Sequence, residues 1–459
     1  MMSASEAATA VGASLLNGDA IFDSVSTDSR AIARKALFVA LRGERFDGHR
    51  FVKAAAAGGA AAAMLAGESA SAVGEPGIPL LLVEDTRLAL GRLAAHWRAR
   101  FEIPLIAVTG SNGKTTVKEM IAAILRAHFG NERVLATRGN LNNEIGLPLT
   151  LLTLREEHAV AVVEIGMNHP GETATLAAIA APTIALVNNA QREHQEFMRS
   201  VAEVAREHGA VLASLKPDGI AVINADDEHS NYWRGLVPKE RIRDFGIERN
   251  AQVSVHQALG ESGSAIDLRT PAGSARIVLQ VDGRHNALNA CAAAACALAA
   301  GASFEAVTRG LAAFRAVDGR SQRRTTASGA ILIDDTYNAN PDSVRAAIDV
   351  LAGFSGTRIL VLGDMGELGA RGIEFHREAG RYACERGIDR LYATGELCRV
   401  AAESFGANAR HFVVIEELIE AVRADLEGRV AVLVKGSRFM RMERVVQALS
   451  DGTAVGEEH

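Results

Sequence analysis

The 459-residue sequence has few cysteines, no excess of positive charge and no long hydrophobic run. Its four cysteines, at positions 291, 296, 384 and 398, form neither a C-x-x-C pair nor a zinc-ligand spacing. This excludes a disulfide-stapled scaffold, and Cys291 and Cys296, on an Ala-rich helical run, are expected to be buried, unreactive thiols. The pattern predicts a protein of the reducing cytoplasm.

The longest near-continuous apolar stretch, Ala54–Ala66, is rich in Ala and Gly and shorter than the about 18 residues of a membrane-spanning helix. Residues 1–20 contain no Lys or Arg, and Glu6 interrupts their apolar run, which is unlike a secretory signal. A net charge of −6 gives no bulk attraction to nucleic acid or anionic membranes. We therefore expect no nucleic-acid or membrane partner, and nothing in the sequence requires more than a monomer.

The positions of glycine, proline and polar residues divide the chain into three units, at residues 1–100, 101–317 and 318–459. In the first unit, Phe51–Ala63 is expected to form an Ala-rich helix and Leu80–Val83 a strand.

The second and third units alternate apolar runs with amphipathic segments. In the second unit, Pro104–Thr109, Ala159–Ile165 and Ile184–Val187 are typical of buried parallel strands, and Lys114–Phe129 places its apolar residues on one helix face. Residues 251–281 interrupt this alternation with a β-rich excursion. Strands of the third unit are expected at Ile331–Asp335, Arg358–Gly363, Arg390–Thr394, Phe412–Ile415 and Val430–Val434. The pattern predicts an α/β protein with open, mostly parallel sheets.

A glycine-rich segment lies between the first strand and the first helix of the second unit. It reads Gly110, Ser111, Asn112, Gly113, Lys114, Thr115 and Thr116. Such a turn lets backbone N–H groups close around phosphate at a helix N-terminus. Lys114 would reach the terminal phosphates and the Thr115 hydroxyl would bind Mg²⁺. We interpret the segment as a nucleotide phosphate loop, two residues shorter than the common G-x-x-x-x-G-K-[ST] form.

Two further polar residues follow strands of the second unit, where an α/β sheet binds its ligands. Glu164 and His194 are candidate Mg²⁺ ligands, although each is as readily a cap or surface residue, and histidine is a less usual ligand for this ion. The Asn-rich segment Thr137–Pro148 is either a turn with side-chain-to-backbone bonds or a polar platform for a sugar or peptide.

Three strand ends of the third unit also carry polar residues: Ile333–Pro341, Val361–Gly369 and Val434–Arg438. Each segment alone could be a helix cap. Because they follow strands of one sheet, together they favour an edge that faces a ligand.

Combined, these motifs resemble the Mur ligases, the ATP-dependent enzymes that build the peptide stem of bacterial peptidoglycan. Thr109–Thr115 is similar to their shortened ATP loop. The likeness extends from about residue 23 to 449 and is strongest to the members that add D-alanyl-D-alanine, through Asp28–Arg30, Leu37–Leu41, Phe46–His49, Gly283–Ala290, Asp335–Pro341, Leu362–Gly369 and Lys435–Met440.

The resemblance implies the three-domain Mur ligase architecture: an N-terminal domain for the UDP-muramoyl-peptide, a central P-loop parallel-sheet ATPase-like domain, and a Rossmann-like C-terminal domain. It also implies ATP and Mg²⁺, and the substrates UDP-N-acetylmuramoyl-tripeptide and D-alanyl-D-alanine. The tripeptide carboxylate would attack the γ-phosphate, and the dipeptide amine would then displace phosphate, giving the pentapeptide. Because carboxylate and triphosphate repel each other, Lys114 and Mg²⁺ would offset that charge.

Matched to the family's motifs, individual residues acquire expected roles. Lys114, Glu164 and His194 would be catalytic, with Mg²⁺ held by Thr115, Glu164 and His194. Nucleotide binding would involve the loop from Gly110 to Thr116 together with Asn286, Asn289, Arg320 and Asp335. Substrate binding would involve Ser29, Arg30, Phe38, Asp47, Gly48, His49, Asn140, Asn142, Asn143, Asn338 and Lys435.

The sequence departs from the family at one point. Most members carry a carbamylated lysine after the metal-binding histidine, and that lysine holds a second Mg²⁺. Counted without gaps from His194, its position is His208, and no lysine lies between Lys118 and Lys216. Our hypothesis is that Glu207, His208 or water completes the second metal site.

Two alternatives remain open. One is another ligase of the same architecture, such as a diaminopimelate- or lysine-adding enzyme or folylpolyglutamate synthase. The other is a nucleotide-binding regulator that has lost catalysis, as the missing lysine would allow. Phosphate release that requires both the tripeptide and D-alanyl-D-alanine distinguishes the expected ligase from a bare NTPase. We also expect the three domains to close around the substrates.

Overall fold

The computed structural model describes residues 1–43, 46–260, 263–326 and 328–450. Within them, three large sheets follow one another along the chain, with five, nine and six strands. No helix in the described ranges is both long and apolar enough to cross a membrane.

The first sheet has the strand order β2-β7-β6-β5-β4, in which only β2 is antiparallel to its neighbour. Its part of the chain comprises β1 (Met2–Ser3), α1 (Ala4–Val11), β2 (Ser14–Leu16), β3 (Ile21–Phe22), β4 (Ser24–Ser26), β5 (Ala36–Val39), α2 (Val52–Ala57), β6 (Ala62–Ala66), α3 (Ala70–Val73), β7 (Leu80–Val83) and α4 (Thr86–Arg98). The helix predicted over Phe51–Ala63 is therefore wrong in its second half, because the alanines of β6 form a fully buried strand in the middle of the sheet.

The second sheet has the order β16-β15-β14-β13-β12-β11-β8-β10-β9. It is parallel from β9 to β14, and the β-rich excursion adds two antiparallel strands at one edge. Its elements are β8 (Leu105–Thr109), α5 (Lys114–Phe129), β9 (Val134–Ala136), α6 (Gly146–Leu151), β10 (Val160–Glu164), α7 (Glu172–Ala180), β11 (Ile184–Val187), α8 (Val201–Ala213), β12 (Ile220–Asn224), α9 (Ser230–Arg234), β13 (Ile242–Gly246), β14 (Val253–Gly260), β15 (Gly263–Thr270), β16 (Gly273–Leu279), α10 (Arg284–Ala299) and α11 (Phe304–Ala313).

The third sheet has the order β17-β18-β22-β19-β20-β21, and only β17 is antiparallel to its neighbour. Its elements are β17 (Gln322–Thr325), β18 (Ile331–Asp335), α12 (Pro341–Ala352), β19 (Thr357–Gly363), α13 (Gly372–Glu385), β20 (Arg390–Thr394), α14 (Cys398–Phe405), β21 (Ala409–Phe412), α15 (Ile415–Ala424), β22 (Val430–Lys435) and α16 (Glu443–Ser450). The prediction of open, mostly parallel sheets is confirmed for both units.

The first two units share one hydrophobic core. Leu90 and Leu93 of α4 belong to the same buried cluster as Leu147 of α6 and Leu176 of α7. Helix α4 therefore joins the five-stranded sheet to the nine-stranded one through buried side chains, and this fixes how the first unit sits beside the central sheet.

All four cysteines are free thiols, as predicted, and three of them are buried. Burial raises the pKa of Cys291, Cys296 and Cys398. Those three thiols therefore stay protonated and unreactive near neutral pH.

Candidate active site

A cleft of about 910 Å³ lies between the nine-stranded and six-stranded sheets. Its walls come from the segments that follow β8, β10 and β11 on one side and β18, β19 and β22 on the other. Parallel strands present their carboxyl ends at one edge, so each sheet contributes its ligand-binding edge to the same space.

The glycine-rich segment forms the floor of this cleft between β8 and α5. Gly110 and Gly113 have φ angles of +139° and +82°, in the region that favours glycine. A Cβ atom on Gly113 would lie 2.6 Å from Asn289 Oδ1, so the close packing also requires glycine. Lys114 Nζ donates to the carbonyl oxygens of Gly110 at 2.6 Å and Ser111 at 3.2 Å, which holds the ammonium over the loop.

Asparagines from other elements hold the loop in place. Asn189 Oδ1 accepts from the Asn112 N–H at 2.9 Å, and Asn188 Nδ2 donates to the Asn112 carbonyl at 2.9 Å and to Asn289 Oδ1 at 3.1 Å. Asn289 in turn donates to Asn286 Oδ1 at 3.2 Å, and both residues are buried. Asn188 and Asn189, which directly follow β11, thus position the loop.

Glu164 ends β10 and has an unpaired oxygen. Its Oε1 accepts from Asn142 Nδ2 at 2.7 Å, whereas Oε2 is buried without a hydrogen-bond partner among the described residues. Glu164 and Thr115 are both buried and both line the cleft. A buried, unpaired carboxylate oxygen is costly unless a cation or donor satisfies it. The site therefore fits an Mg²⁺ ion, which prefers oxygen ligands.

His194 lies beside a carboxylate that the sequence reasoning did not single out. Glu193 is buried, and its Oε2 lies 3.8 Å from His194 Nε2 and 3.6 Å from Lys114 Nζ. Its Oε1 lies 2.7 Å from His208 Nε2. Burial alone raises the pKa of Glu193, but the charges of Lys114, His208 and His194 and the His208 hydrogen bond lower it to about 2. Glu193 is therefore a carboxylate anion at neutral pH.

The two side chains suggested for the second metal site, Glu207 and His208, are engaged elsewhere. Both Glu207 carboxylate oxygens accept from backbone N–H groups at the start of α7, those of Gly171 at 2.9 Å and Thr173 at 2.8 Å, so Glu207 caps a helix. His208 is fully buried, with its ring nitrogens engaged by Thr109 Oγ1 at 2.9 Å and by Glu193. Neither residue is among those that line the cleft, whereas Glu193 is.

Asp364, His376 and Cys398 form a second, buried cluster of potential metal ligands. Asp364 accepts from the N–H groups of Cys398 at 2.7 Å and Leu397 at 3.2 Å. The nearby His376 uses Nε2 to accept from the Met365 N–H and Nδ1 to donate to the Gly372 carbonyl. Asp364 and both ring nitrogens of His376 are thus engaged with backbone groups, which ties the segments around β19, α13 and α14 together.

The six-stranded sheet contributes a paired lysine to the cleft. Lys435 Nζ donates to Asp335 Oδ2 at 2.6 Å and to the Asn338 carbonyl at 2.9 Å. Asp335 Oδ1 also accepts from the Ser321 N–H at 3.0 Å. The Arg320 guanidinium lies 4.0 Å from the centre of the Tyr337 ring. The structure thus brings Arg320, Asp335, Asn338 and Lys435 to the cleft.

The two sheets contact each other across the cleft. Arg192 makes paired hydrogen bonds to Asp342 on α12 and to Glu378 on α13, at 2.6–3.2 Å. His194 Nδ1 lies 2.6 Å from Glu367 Oε2. The side-chain amides of Asn112 and Asn340 also bond to each other.

The predicted peptide-binding asparagines divide into two groups. Asn142 and Asn143 line the cleft, and Asn143 Oδ1 accepts from the N–H groups at the start of α6. Asn140 is exposed and lies outside the cleft lining.

The residues predicted in the first unit lie away from this cleft, and none of them lines it. Phe38 is a correction, because its side chain is buried in the core of the first sheet. Arg30 and Ser29 follow Asp28, whose carboxylate bonds to the Arg30 guanidinium. His49 is buried, with Nδ1 2.6 Å from Asp47 Oδ1 and Nε2 accepting from the Ala66 N–H. Gly48 packs against the Leu41 backbone.

Comparison with known proteins gives matches along most of the chain. The Mur ligase family catalytic-domain model matches residues 22–98, the Mur ligase middle-domain model residues 108–297, and the Mur ligase glutamate ligase domain model residues 319–438. The UDP-N-acetylmuramoyl-tripeptide--D-alanyl-D-alanine ligase of Escherichia coli K12 is 41% identical over 452 residues, which cover 95% of this chain and 97% of that one.

Solved structures agree with these matches. A crystal structure of MurF from Acinetobacter baumannii has a TM-score of 0.89 at 34% identity and covers 98% of each chain. MurF from Thermotoga maritima, solved with ADP, has a TM-score of 0.80 at 27% identity and covers 94% of this chain and 97% of that one. The chain belongs to the Mur ligase family and has its three-domain fold.

Proposed function

We propose that the protein is an ATP-dependent ligase that joins D-alanyl-D-alanine to UDP-N-acetylmuramoyl-tripeptide and so forms the pentapeptide precursor of peptidoglycan. The relatives that support this substrate pair span nearly the whole chain. The observation that carries the proposal is the cleft itself. The glycine-rich loop, an unpaired carboxylate oxygen of Glu164 and the strand ends of a second sheet all line one space, which supports the binding of a nucleotide and its metal ion there.

The reaction has two steps. A tripeptide carboxylate oxygen attacks the γ-phosphorus of ATP, the bond to the ADP oxygen breaks, and an acyl phosphate forms. The amine of D-alanyl-D-alanine then attacks the acyl carbon, an amide bond forms, and phosphate leaves with the former carboxylate oxygen. The amine gives up its proton in this step. The products are the pentapeptide, ADP and phosphate.

The cleft residues supply positioning and charge. The loop N–H groups would hold the phosphates, and Lys114 would exchange its loop carbonyls for phosphate oxygens. Thr115, Glu164 and His194 would hold Mg²⁺, which when bound neutralises charge between the phosphates and the attacking carboxylate. In-line attack between two anions depends on this offset.

The remaining predicted residues have roles in binding. Arg320, Asp335, Asn338 and Lys435 would meet the nucleotide or the peptide from the six-stranded sheet, with Asn286 and Asn289 near the adenine. Ser29, Arg30 and the segment Asp47–His49 would form part of a separate site for the UDP end of the substrate. In this proposal residues 1–100, 101–317 and 318–459 are the three domains, and the reaction takes place in the cytoplasm.

A phosphate-release assay with single omissions tests the proposal. Phosphate should be released steadily when ATP, Mg²⁺, UDP-N-acetylmuramoyl-tripeptide and D-alanyl-D-alanine are all present. Leaving out either the tripeptide or D-alanyl-D-alanine should abolish this steady release. The assay is run with both meso-diaminopimelate and lysine tripeptides, which identifies the preferred third residue. Phosphate release that needs neither substrate would refute the proposal and indicate an NTPase.

A further inference from the structure

Glu193 is a buried carboxylate in the cleft lining, with one oxygen bonded to His208 and the other without a hydrogen bond. Its side chain is only 6% exposed, and Oε1 lies 2.7 Å from His208 Nε2. Oε2 lies 3.6 Å from Lys114 Nζ and 3.8 Å from His194 Nε2, and both distances exceed a hydrogen bond. A buried anion in this position depends on the positive charges around it.

Nucleotide binding would change the charge next to Glu193 Oε2, because Lys114 is the cation beside it. Lys114 now lies on its own loop, where it can turn toward phosphates. That movement would leave Glu193 Oε2 facing the cleft with less positive charge beside it. Glu164 Oε2 in the same cleft is already unpaired. Two carboxylates that face one space would repel each other unless a cation lies between or beside them.

The position of Glu193 also suits metal coordination together with His194. Two donors on an octahedral ion with bonds of about 2.1 Å lie about 3.0 Å apart when adjacent and about 4.2 Å apart when opposite. The 3.8 Å between Glu193 Oε2 and His194 Nε2 lies within about 1 Å of either spacing, so a small side-chain movement brings both atoms onto one ion. Both residues line the cleft with Thr115.

We propose that Glu193 is a carboxylate ligand of a divalent cation in this cleft, and that His208 is a positioning residue that orients it. The proposal rests on the proposed function, because the cation would be one that accompanies ATP. Thr109 Oγ1, 2.9 Å from His208 Nδ1, fixes the ring from the other side. In metal sites generally, a metal ligand is oriented by a hydrogen bond to a neighbouring residue that does not itself touch the metal.

In this proposal the Glu193 side chain supplies the carboxylate that a carbamylated lysine supplies in most members of the family. No lysine lies between Lys118 and Lys216, so a carbamylated lysine cannot arise in that stretch. The residue at the expected position, His208, instead bonds to Glu193. The pair therefore performs with two unmodified side chains what a modified lysine would otherwise do.

Manganese binding tests the proposal without relying on turnover. The purified full-length protein with a non-hydrolysable ATP analogue is titrated with Mn²⁺, and free Mn²⁺ is followed by electron paramagnetic resonance, with and without UDP-N-acetylmuramoyl-tripeptide. Glu193→Gln keeps the shape and an acceptor for His208 but removes the charge. Glu196→Gln is the matched control, because Glu196 is exposed and lies three residues away on the same segment. Glu193→Asp keeps the charge and covers the case in which the glutamine variant fails to fold.

We expect Glu193→Gln to lose one Mn²⁺ or to bind it at least about tenfold more weakly, and Glu196→Gln to match the wild type. Glu193→Asp should weaken Mn²⁺ binding by a smaller factor. His208→Gln, which keeps one hydrogen-bond donor, should weaken Mn²⁺ binding less than His208→Leu does. Both His208 variants should bind the ATP analogue with similar affinity when EDTA removes the metal. Unchanged Mn²⁺ number and affinity in both folded Glu193 variants would overturn the proposal. If the wild type forms pentapeptide in that case, the proposed function stands and only the role of Glu193 falls.

Discussion

Arg192, Asp342 and Glu378 form a clamp between the central and C-terminal units, and this clamp offers a test of whether their contact matters for catalysis. The Arg192 side chain is 22% exposed, and its guanidinium forms paired hydrogen bonds with Asp342 and Glu378 of the C-terminal unit. Hydrogen bonds to charged groups contribute about 1.5–3 kcal/mol each, and partial exposure reduces that value. Removing Arg192 takes the guanidinium away from Asp342, whereas Glu378 keeps Arg345 as a partner at 3.2 Å. We take about 2–3 kcal/mol for the clamp, which corresponds to about 30- to 150-fold in an equilibrium constant.

If closure of this clamp assembles the active site, Arg192→Ala should lower kcat/KM for D-alanyl-D-alanine by that factor. Arg192→Lys should lose less, because it keeps the charge but not the forked geometry. The assay is phosphate release with both substrates, and small-angle scattering reports whether the variant is more open. Arg206→Ala, on the exposed face of α8, is the control and should behave like the wild type. A folded Arg192→Ala with kcat/KM within about twofold of the wild type would refute this reasoning.

Three further predictions concern the loop, the pH response and the missing lysine. Gly113→Ala should weaken binding of the ATP analogue by about 5- to 30-fold in calorimetry, because φ +82° is strained for alanine and its Cβ would meet Asn289. Gly130→Ala, at φ +92° with open space around it, is the control, and equal binding losses in both would contradict a clash. Burial lowers the pKa of His376, so its stabilisation is present above about pH 6.5 and is lost as the pH falls through the lower folded-state value. The urea midpoint should therefore drop less between pH 7 and 5 in His376→Gln than in the wild type, and parallel profiles would count against this. Turnover should be equal with and without added bicarbonate, because no lysine lies between Lys118 and Lys216, and stimulation by bicarbonate would point to a carbamylated group elsewhere.

Contiguous motifs could be predicted from the sequence because local spacing encodes them. The helix predicted over Lys114–Phe129 has those bounds in the structure, and the strands Ile184–Val187 and Ile331–Asp335 also match. The placement of loop and helix at the end of β8 follows from the same pattern.

Elements decided by tertiary packing were harder to predict. Alanine favours helix by intrinsic propensity, yet β6 is a strand because it pairs with β5 and β7 along both edges and all five of its residues are buried. A strand expected at Phe412–Ile415 lies instead at Ala409–Phe412, and a helix begins at Ile415. The apolar run predicted that a strand lies in this region, but not which of its residues pair with β20.

Pairs distant in sequence account for what was missed in the site. Glu193 stands beside His194, but its importance depends on His208 and Lys114, which only the fold brings to it. Arg192 likewise has no signal in the sequence, because its partners lie in the third unit. Phe38 fell in a matched motif, but it is a core residue of that motif.

The most direct test of the central claim follows an oxygen atom. The tripeptide is labelled with oxygen-18 in its terminal carboxylate, and the products of one turnover are examined by mass spectrometry. If ATP activates that carboxylate, the pentapeptide forms and the released phosphate carries one labelled oxygen per amide bond made. Phosphate without label, or phosphate released without pentapeptide, would contradict the account.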